Sequence, residues 1–129
     1  DLYLPGNTTT PMHSYTVTTD QNGLFTINDI PVGTYTITVK GLNTLQKVKA
    51  SQDIVAGGNS INFGTLIEGD LDNDKYVSTL DLGGLLSSCD KLPGDPAFIP
   101  AADLNGDGFV DSLDLAILLF NFDALGEFP

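Results

Sequence analysis

Residues 14–40 alternate small polar and apolar side chains, with Tyr15 and Val17, then Phe25 and Ile27, then Tyr35, Ile37 and Val39 at period two. That period puts every second side chain on one sheet face, so each run predicts a short strand. Gln21-Asn22-Gly23 separates the first two runs, and Asn-Gly is a strong tight-turn signal because both residues tolerate positive φ. Pro31-Val32-Gly33 separates the next two, while "DLYL", "LQKVKA", "DIVA" and "SINFGTL" read as further strands. About six or seven short strands with frequent turns predict an antiparallel sandwich.

Past residue 67 the period changes. Leu82, Leu85, Leu86 and Cys89 are spaced i, i+3, i+4, i+7, and Leu115, Leu118, Leu119 and Phe122 repeat the pattern. One helical stripe in two copies predicts a shared core, with Cys89 as a small buried residue. A second stripe, Leu80, Gly84, Ser87 and Lys91, corresponds to Leu113, Ile117, Phe120 and Ala124, and only the later copy is apolar. A helix apolar nearly all round is buried on two sides or offers one side to a partner.

Charge divides the chain at the same point. Residues 1–67 hold four acids and three lysines; residues 68–129 hold 13 acids and two lysines, a net of −11. Two domains are therefore expected, an all-β antiparallel sandwich over residues 1–66 and a small all-α domain over residues 67–129. So acidic a half repels nucleic acid and anionic membrane and attracts cations. No apolar run is long enough to span a membrane, which excludes insertion. A chain that begins at Asp1 is expected to be processed or excised, so a missing leader says nothing about secretion.

The acids follow an order. "DLDNDKYVSTLD" from Asp70 and "DLNGDGFVDSLD" from Asp103 are the same twelve-residue phrase. Calcium takes six to eight oxygens on a twelve-residue loop, from side chains at positions 1, 3, 5 and 12, the carbonyl at 7, and often a water held by 9. Asp70, Asp72, Asp74, the Tyr76 carbonyl, Ser78 and Asp81 fill those positions in the first copy. Asp103, Asn105, Asp107, the Phe109 carbonyl, Asp111 and Asp114 fill them in the second. Two copies in register predict two Ca²⁺, with magnesium the less suited ion because so many protein oxygens are offered. Position 8 is Val77 or Val110, the apolar residue expected to tie paired loops together. Position 6 is Lys75 in one copy and Gly108 in the other. Positive φ there costs a residue with a Cβ about 1 kcal/mol, so the first loop is expected to bind calcium more weakly.

Catalysis finds little support. His13, in a loop-like stretch, is the lone histidine and is expected to be solvated. No Ser-His-Asp or Cys-His arrangement assembles around it. Paired carboxylates can hydrolyse glycosides, but every clustered acid here already has a place in a metal loop.

Two resemblances add to this reading. "TDQNGLFTINDIPVGTYTITV" resembles the carboxypeptidase regulatory-like family of prealbumin-type sandwiches, with its Thr-Asp-x-x-Gly-x-Phe turn and Pro-x-Gly-x-Tyr strand lead. It implies a spacer module over residues 14–64; a carbohydrate- or protein-binding face is the alternative. Residues 68–126, with Asp rather than Glu at position 12, no helix before the first loop, and "AADLNGDGFVDSLDLAILL", resemble the dockerin family, type I-like with two F-hand calcium repeats. Dockerins are calcium-dependent plugs that bind cohesin modules and attach secreted proteins to scaffoldins or the cell surface, as in cellulosomes. The resemblance implies extracellular adhesion without catalysis, and a short third helix from "DPAFIPAAD". It implies cohesin contact led by loop positions 10 and 11, Thr79-Leu80 and Ser112-Leu113, in either of two orientations. With the second stripe this gives Ser112, Leu113, Ile117 and Phe120 as the main docking face. The pseudo-twofold would also bring the ends together, with Phe128 and Pro129 against Leu66 or Ile67. The competing reading is a structural calcium module whose second stripe packs on the sandwich without a cohesin partner.

Overall fold

The alternating run that ends the first pattern forms strand β2, Gly33–Val39, with Tyr35 buried. In the computed structural model, which describes residues 1–129, Leu2–Tyr3 forms β1 and pairs antiparallel with β2, Leu2 opposite Ile37 and Tyr3 opposite Thr36. Lys47–Ile54 forms β3 and completes a three-stranded sheet in the order β1-β2-β3. Leu2, Tyr35 and Ile54 make a small core with Ile30, Ile37 and Ile61 around it.

That sheet is smaller than the sandwich expected. "LQKVKA" and "DIVA" do not form two strands; the last four residues of the first and the first two of the second lie in the single strand β3. Residues 15–17, 25–27 and 60–66 carry no strand. Their alternation is real but buries little: Tyr15 and Val17 are exposed, and Phe25 and Ile27 are only half-buried. Period two orders a strand only where the apolar face meets a partner. The expected turn does form. Asp20 N–H donates to Leu24 O at 2.9 Å, and the Asp20 carboxylate accepts from the N–H groups of Leu24 and Asn22, which hold its pKa below the usual value. Gly23 supplies the positive φ, 75°. His13 is not fully solvated. It is half-buried, its backbone pairs with Leu2, and its Nε2 is shielded from water.

Two compact units result. The first holds residues 1–39, 48–63 and 128–129; the second holds 40–47 and 64–127. The boundary expected after residue 66 thus falls near residue 63, and a segment from the middle of the β half joins the second unit. Its reason is visible in the packing. Leu45 is 2% exposed and sits in the second unit's core with Val77, Leu85, Ala102, Leu104, Val110 and Leu118. Leu45 N–H donates to Ile67 O at 2.7 Å, and Gly69 and Asp70 N–H donate to Asn43 O at 2.8 and 3.1 Å.

Around that core lie α1, Thr79–Ser88, and α2, Ser112–Phe120. Between them "DPAFIPAAD" yields the short third helix as a single 3₁₀ turn, Pro100–Ala102. Pro96 and Pro100 withhold backbone donors within five residues of each other. No helix is long and apolar enough to cross a membrane.

Candidate metal centre and docking face

Each loop turns tightly because two of its residues take left-handed backbone. In the first loop these are Asn73 at φ 69° and Lys75 at 73°; in the second, Gly106 at 73° and Gly108 at 92°. Position 6 is thus strained where lysine occupies it. Position 4 has the same requirement, which Asn meets at lower cost than most residues.

The side chains then close the loops almost bond for bond. Asp70 Oδ1 accepts from Asp74 N–H and Oδ2 from Lys75 N–H, both at 3.1 Å. Asp103 Oδ1 accepts from Asp107 N–H at 3.1 Å and from Gly106 N–H, and its Oδ2 accepts from Gly108 N–H at 2.9 Å. Asp72 and Asn105 each accept from the amide two residues on, as do Asp74 and Asp107. At position 12, Asp81 Oδ1 accepts from Leu71 and Asp72 N–H and Oδ2 from Ser78 N–H. Asp114 does the same with Leu104, Asn105 and Asp111. Both carboxylates are 0% exposed. A buried carboxylate is tolerated when its charge is met by donors.

Position 9 starts the helices. Ser78 Oγ accepts from Leu80 N–H at 3.1 Å and Asp111 Oδ1 from Leu113 N–H at 2.7 Å. With the position-12 aspartates these form capping boxes on both helices. Such caps hold one helix end each and are worth about 1 kcal/mol.

The residues fit a hard divalent cation. Asp70, Asp72 and Asp74 each bring a carboxylate oxygen within 4.8 Å of the others. Desolvation first, then the charges of Asp81, Asp74 and Asp70, raise the pKa of Asp72 against the opposing Asp74 N–H. A bound cation would oppose that rise. The second loop has Asn105 at position 3, so it gathers one fewer charge at positions 1, 3 and 5.

Val77 and Val110 are nearly fully buried. They tie the repeats together by a route the sequence did not reveal. Val77 O accepts from Asp123 N–H at 3.0 Å, just past α2; Val110 O accepts from Asp90 N–H at 3.1 Å, just past α1. Asp90 and Asp123 both take positive φ, 60° and 64°. Each loop is thus anchored to the end of the other helix, a pseudo-twofold exchange. Tyr76 breaks the symmetry: its hydroxyl donates to Asp123 Oδ1 at 2.7 Å, which raises its pKa. Phe109 has no hydroxyl to offer.

The chain end joins the same region. Gly126 N–H donates to Lys75 O at 2.8 Å, and Glu127 N–H donates to Gln46 O at 2.9 Å. Residues 123–127 therefore tie the C-terminal segment down, whereas the sequence pointed to Phe128 and Pro129.

The stripe expected as core turns inward only in part: Leu82, Leu115 and Phe122 pack against the core as partly buried residues. Leu85 and Leu118 are 0% exposed, but Leu86 and Leu119 are both 52% exposed, and Cys89 is only half-buried. The buried residue near the end of α1 is instead Ser88, whose Oγ accepts from Ile99 N–H at 2.8 Å. Position 12 sets this phase. Asp81 and Asp114 must face inward to close their loops, so the inner stripe runs 81, 85, 88 and 114, 118. Of the residues assigned to docking, Leu80, Leu113 and Phe120 are exposed, Phe120 to 91%. Thr79 and Ser112 are exposed beside them. Ile117 is half-buried and packs on the core. Leu86 and Leu119 extend the outer apolar face and were missed because their spacing also fits the inner one.

The family model for the Dockerin type I domain matches residues 68–120. Among solved structures, the chain is similar to two forms of a type II cohesin–X–dockerin complex from Acetivibrio cellulolyticus, a C-terminal interface mutant and an N-terminal interface mutant. Both are 25% identical and cover 85% of this chain and 75% of the matched one, with TM-scores of 0.66 and 0.65. No curated protein matches the chain. The family model is of type I and the similar structures are type II complexes, so dockerin is the class common to both.

Proposed function

We propose that the chain is a calcium-dependent docking module that binds a cohesin and so attaches a secreted protein to a scaffold or cell surface. One observation carries this reading: the segment that matches the Dockerin type I domain folds as two loop–helix units with matching hydrogen bonds at every ligand position. The likeness to cohesin–X–dockerin complexes, at a TM-score of 0.66, supports the same partner.

In this reading two Ca²⁺ occupy the loops. Asp70, Asp72, Asp74, the Tyr76 carbonyl, Ser78 and Asp81 hold one; Asp103, Asn105, Asp107, the Phe109 carbonyl, Asp111 and Asp114 hold the other. Calcium offsets the acidic charge of this half and fixes the start of each helix. Extracellular calcium, about 10⁻³ M, fills even modest sites, which favours an extracellular setting. The module itself does no chemistry. Residues 1–66 serve as a carboxypeptidase regulatory-like spacer; the similar structures cover 85% of the chain, more than the second unit alone, which supports a folded companion module there.

The docking face is the outer side of α2, with Ser112, Leu113 and Phe120 at its centre, Leu119 beside them and Ile117 behind them as packing support. Thr79, Leu80 and Leu86 form the corresponding face of α1. Phe120 decides between the two because Ser87 takes its place in α1. A large exposed aromatic is the usual anchor of such an interface. Binding of Phe120→Asp to an immobilised cohesin is expected to weaken by about 30-fold or more. Leu80→Asp should have a smaller effect. Equal losses from both, or a greater loss from Leu80→Asp, would place the dominant face on α1.

A further inference from the structure

The segment at residues 40–47 gives the first loop a group that the second loop lacks. Lys40 Nζ donates to Asp70 Oδ2 at 2.5 Å and to the Thr44 carbonyl at 2.6 Å. The Lys40 side chain is 19% exposed and that of Asp70 is 0% exposed. The segment is not loosely placed, since Asn43 O accepts from both Gly69 and Asp70 N–H and Leu45 is fixed in the core. Asn43 also donates through Nδ2 to Ala101 O at 3.1 Å. The gripped oxygen is the one that accepts from the position-6 amide, Lys75 N–H. Asp103, the equivalent residue of the second loop, accepts only from the backbone N–H groups of Gly106, Asp107 and Gly108.

We infer that Lys40 is a resident counter-ion of the first loop, holding Asp70 so that this loop keeps its fold without calcium and takes calcium less tightly than the second. The inference rests on the two-calcium reading above. Three carboxylates whose oxygens lie within 4.8 Å repel one another until something positive arrives. In the second loop no ammonium supplies that charge to Asp103, which accepts only from backbone amides. In the first, the ammonium supplies part of it permanently. An entering divalent ion then relieves less repulsion and meets a fixed like charge across a fully buried carboxylate, where solvent screens poorly. Preorganisation works in the opposite direction, but Asp70 is already held by the amides of Asp74 and Lys75. Ordering its short side chain further adds little, so the charge effect sets the sign.

The test uses the full chain with Lys40→Met and Lys40→Gln. The glutamine variant keeps a donor for Asp70 and Thr44 without the charge, which protects the fold. Calcium is titrated into metal-stripped protein while the amide NMR signals of Lys75 and Gly108 are followed; each amide is bonded to its own loop's position-1 carboxylate, so the loops report separately. Both variants are expected to raise the first loop's affinity about tenfold and to leave the second within about twofold. In excess chelator, hydrogen exchange at Leu71 and Asp72, whose amides close the first loop onto Asp81, should quicken in both variants. A first loop whose affinity is unchanged or weaker, while both amides still respond to calcium, overturns the inference alone. Amides that ignore calcium in the unaltered protein overturn the two-calcium reading, and the inference with it.

Discussion

The two loops share eight side-chain-to-backbone hydrogen bonds, position for position, yet differ in how they satisfy charge and backbone. The second has glycine at both left-handed positions and no ammonium near its first aspartate. The first has Asn73 and Lys75 at φ 69° and 73° and Lys40 on Asp70. One loop is therefore built for unstrained closure around a cation, while the other is propped by groups outside the repeat. A duplicated motif keeps the bonds that close its loops and drifts where the surrounding fold can compensate.

The largest effects should fall where the repeats agree. Leu85 and Leu118 are equivalent and both fully buried. Leu85→Ala and Leu118→Ala are each expected to cost about 2–5 kcal/mol in calcium-saturated urea unfolding, with similar values. A large difference between them would mean that the pseudo-twofold does not extend to packing. Next come the position-12 aspartates. Asp114→Ala leaves three backbone N–H groups without their acceptor and removes a ligand, so calcium binding to the second loop should fall by about a hundredfold or more. Asp81→Ala should do the same to the first loop, and calorimetry of each variant should show one remaining site. The smallest effect concerns strain. Lys75→Gly is expected to gain about 1 kcal/mol, roughly fivefold in affinity, at the first loop only. Gly108→Ala should weaken the second by a similar amount. If Lys75→Gly has no effect and Lys40→Gln does, charge alone separates the loops.

How much of this was readable in advance follows from what fixes each feature. Loop closure is dictated by local chemistry at fixed spacing, so Asp70, Asp81 and their counterparts Asp103 and Asp114, which close the two loops, stood out in the sequence, as did the turn at Asn22-Gly23. Helix phase was harder. Leu85 and Leu86 are equally apolar, and only the inward-facing Asp81 decides which is buried. The strands of the β half were overcounted because alternation costs nothing in sequence but needs a packed partner in space. Least legible was the segment at residues 40–47. Leu45 and Lys40 act across more than 20 residues of intervening chain, and no local pattern marks such a contact. The exchange between Val77 and Asp123, and between Val110 and Asp90, is hidden for the same reason.

The central claim joins the loops to the surface they shape: calcium orders both helix starts, and the exposed face of α2 then meets a cohesin. Its most direct test is binding of the full chain to a panel of immobilised type I and type II cohesins, in millimolar calcium and again in excess EGTA. The account predicts binding to at least one cohesin in calcium and its loss on chelation, restored when calcium is returned. Equal binding in EGTA, or none to any cohesin in calcium, would contradict it.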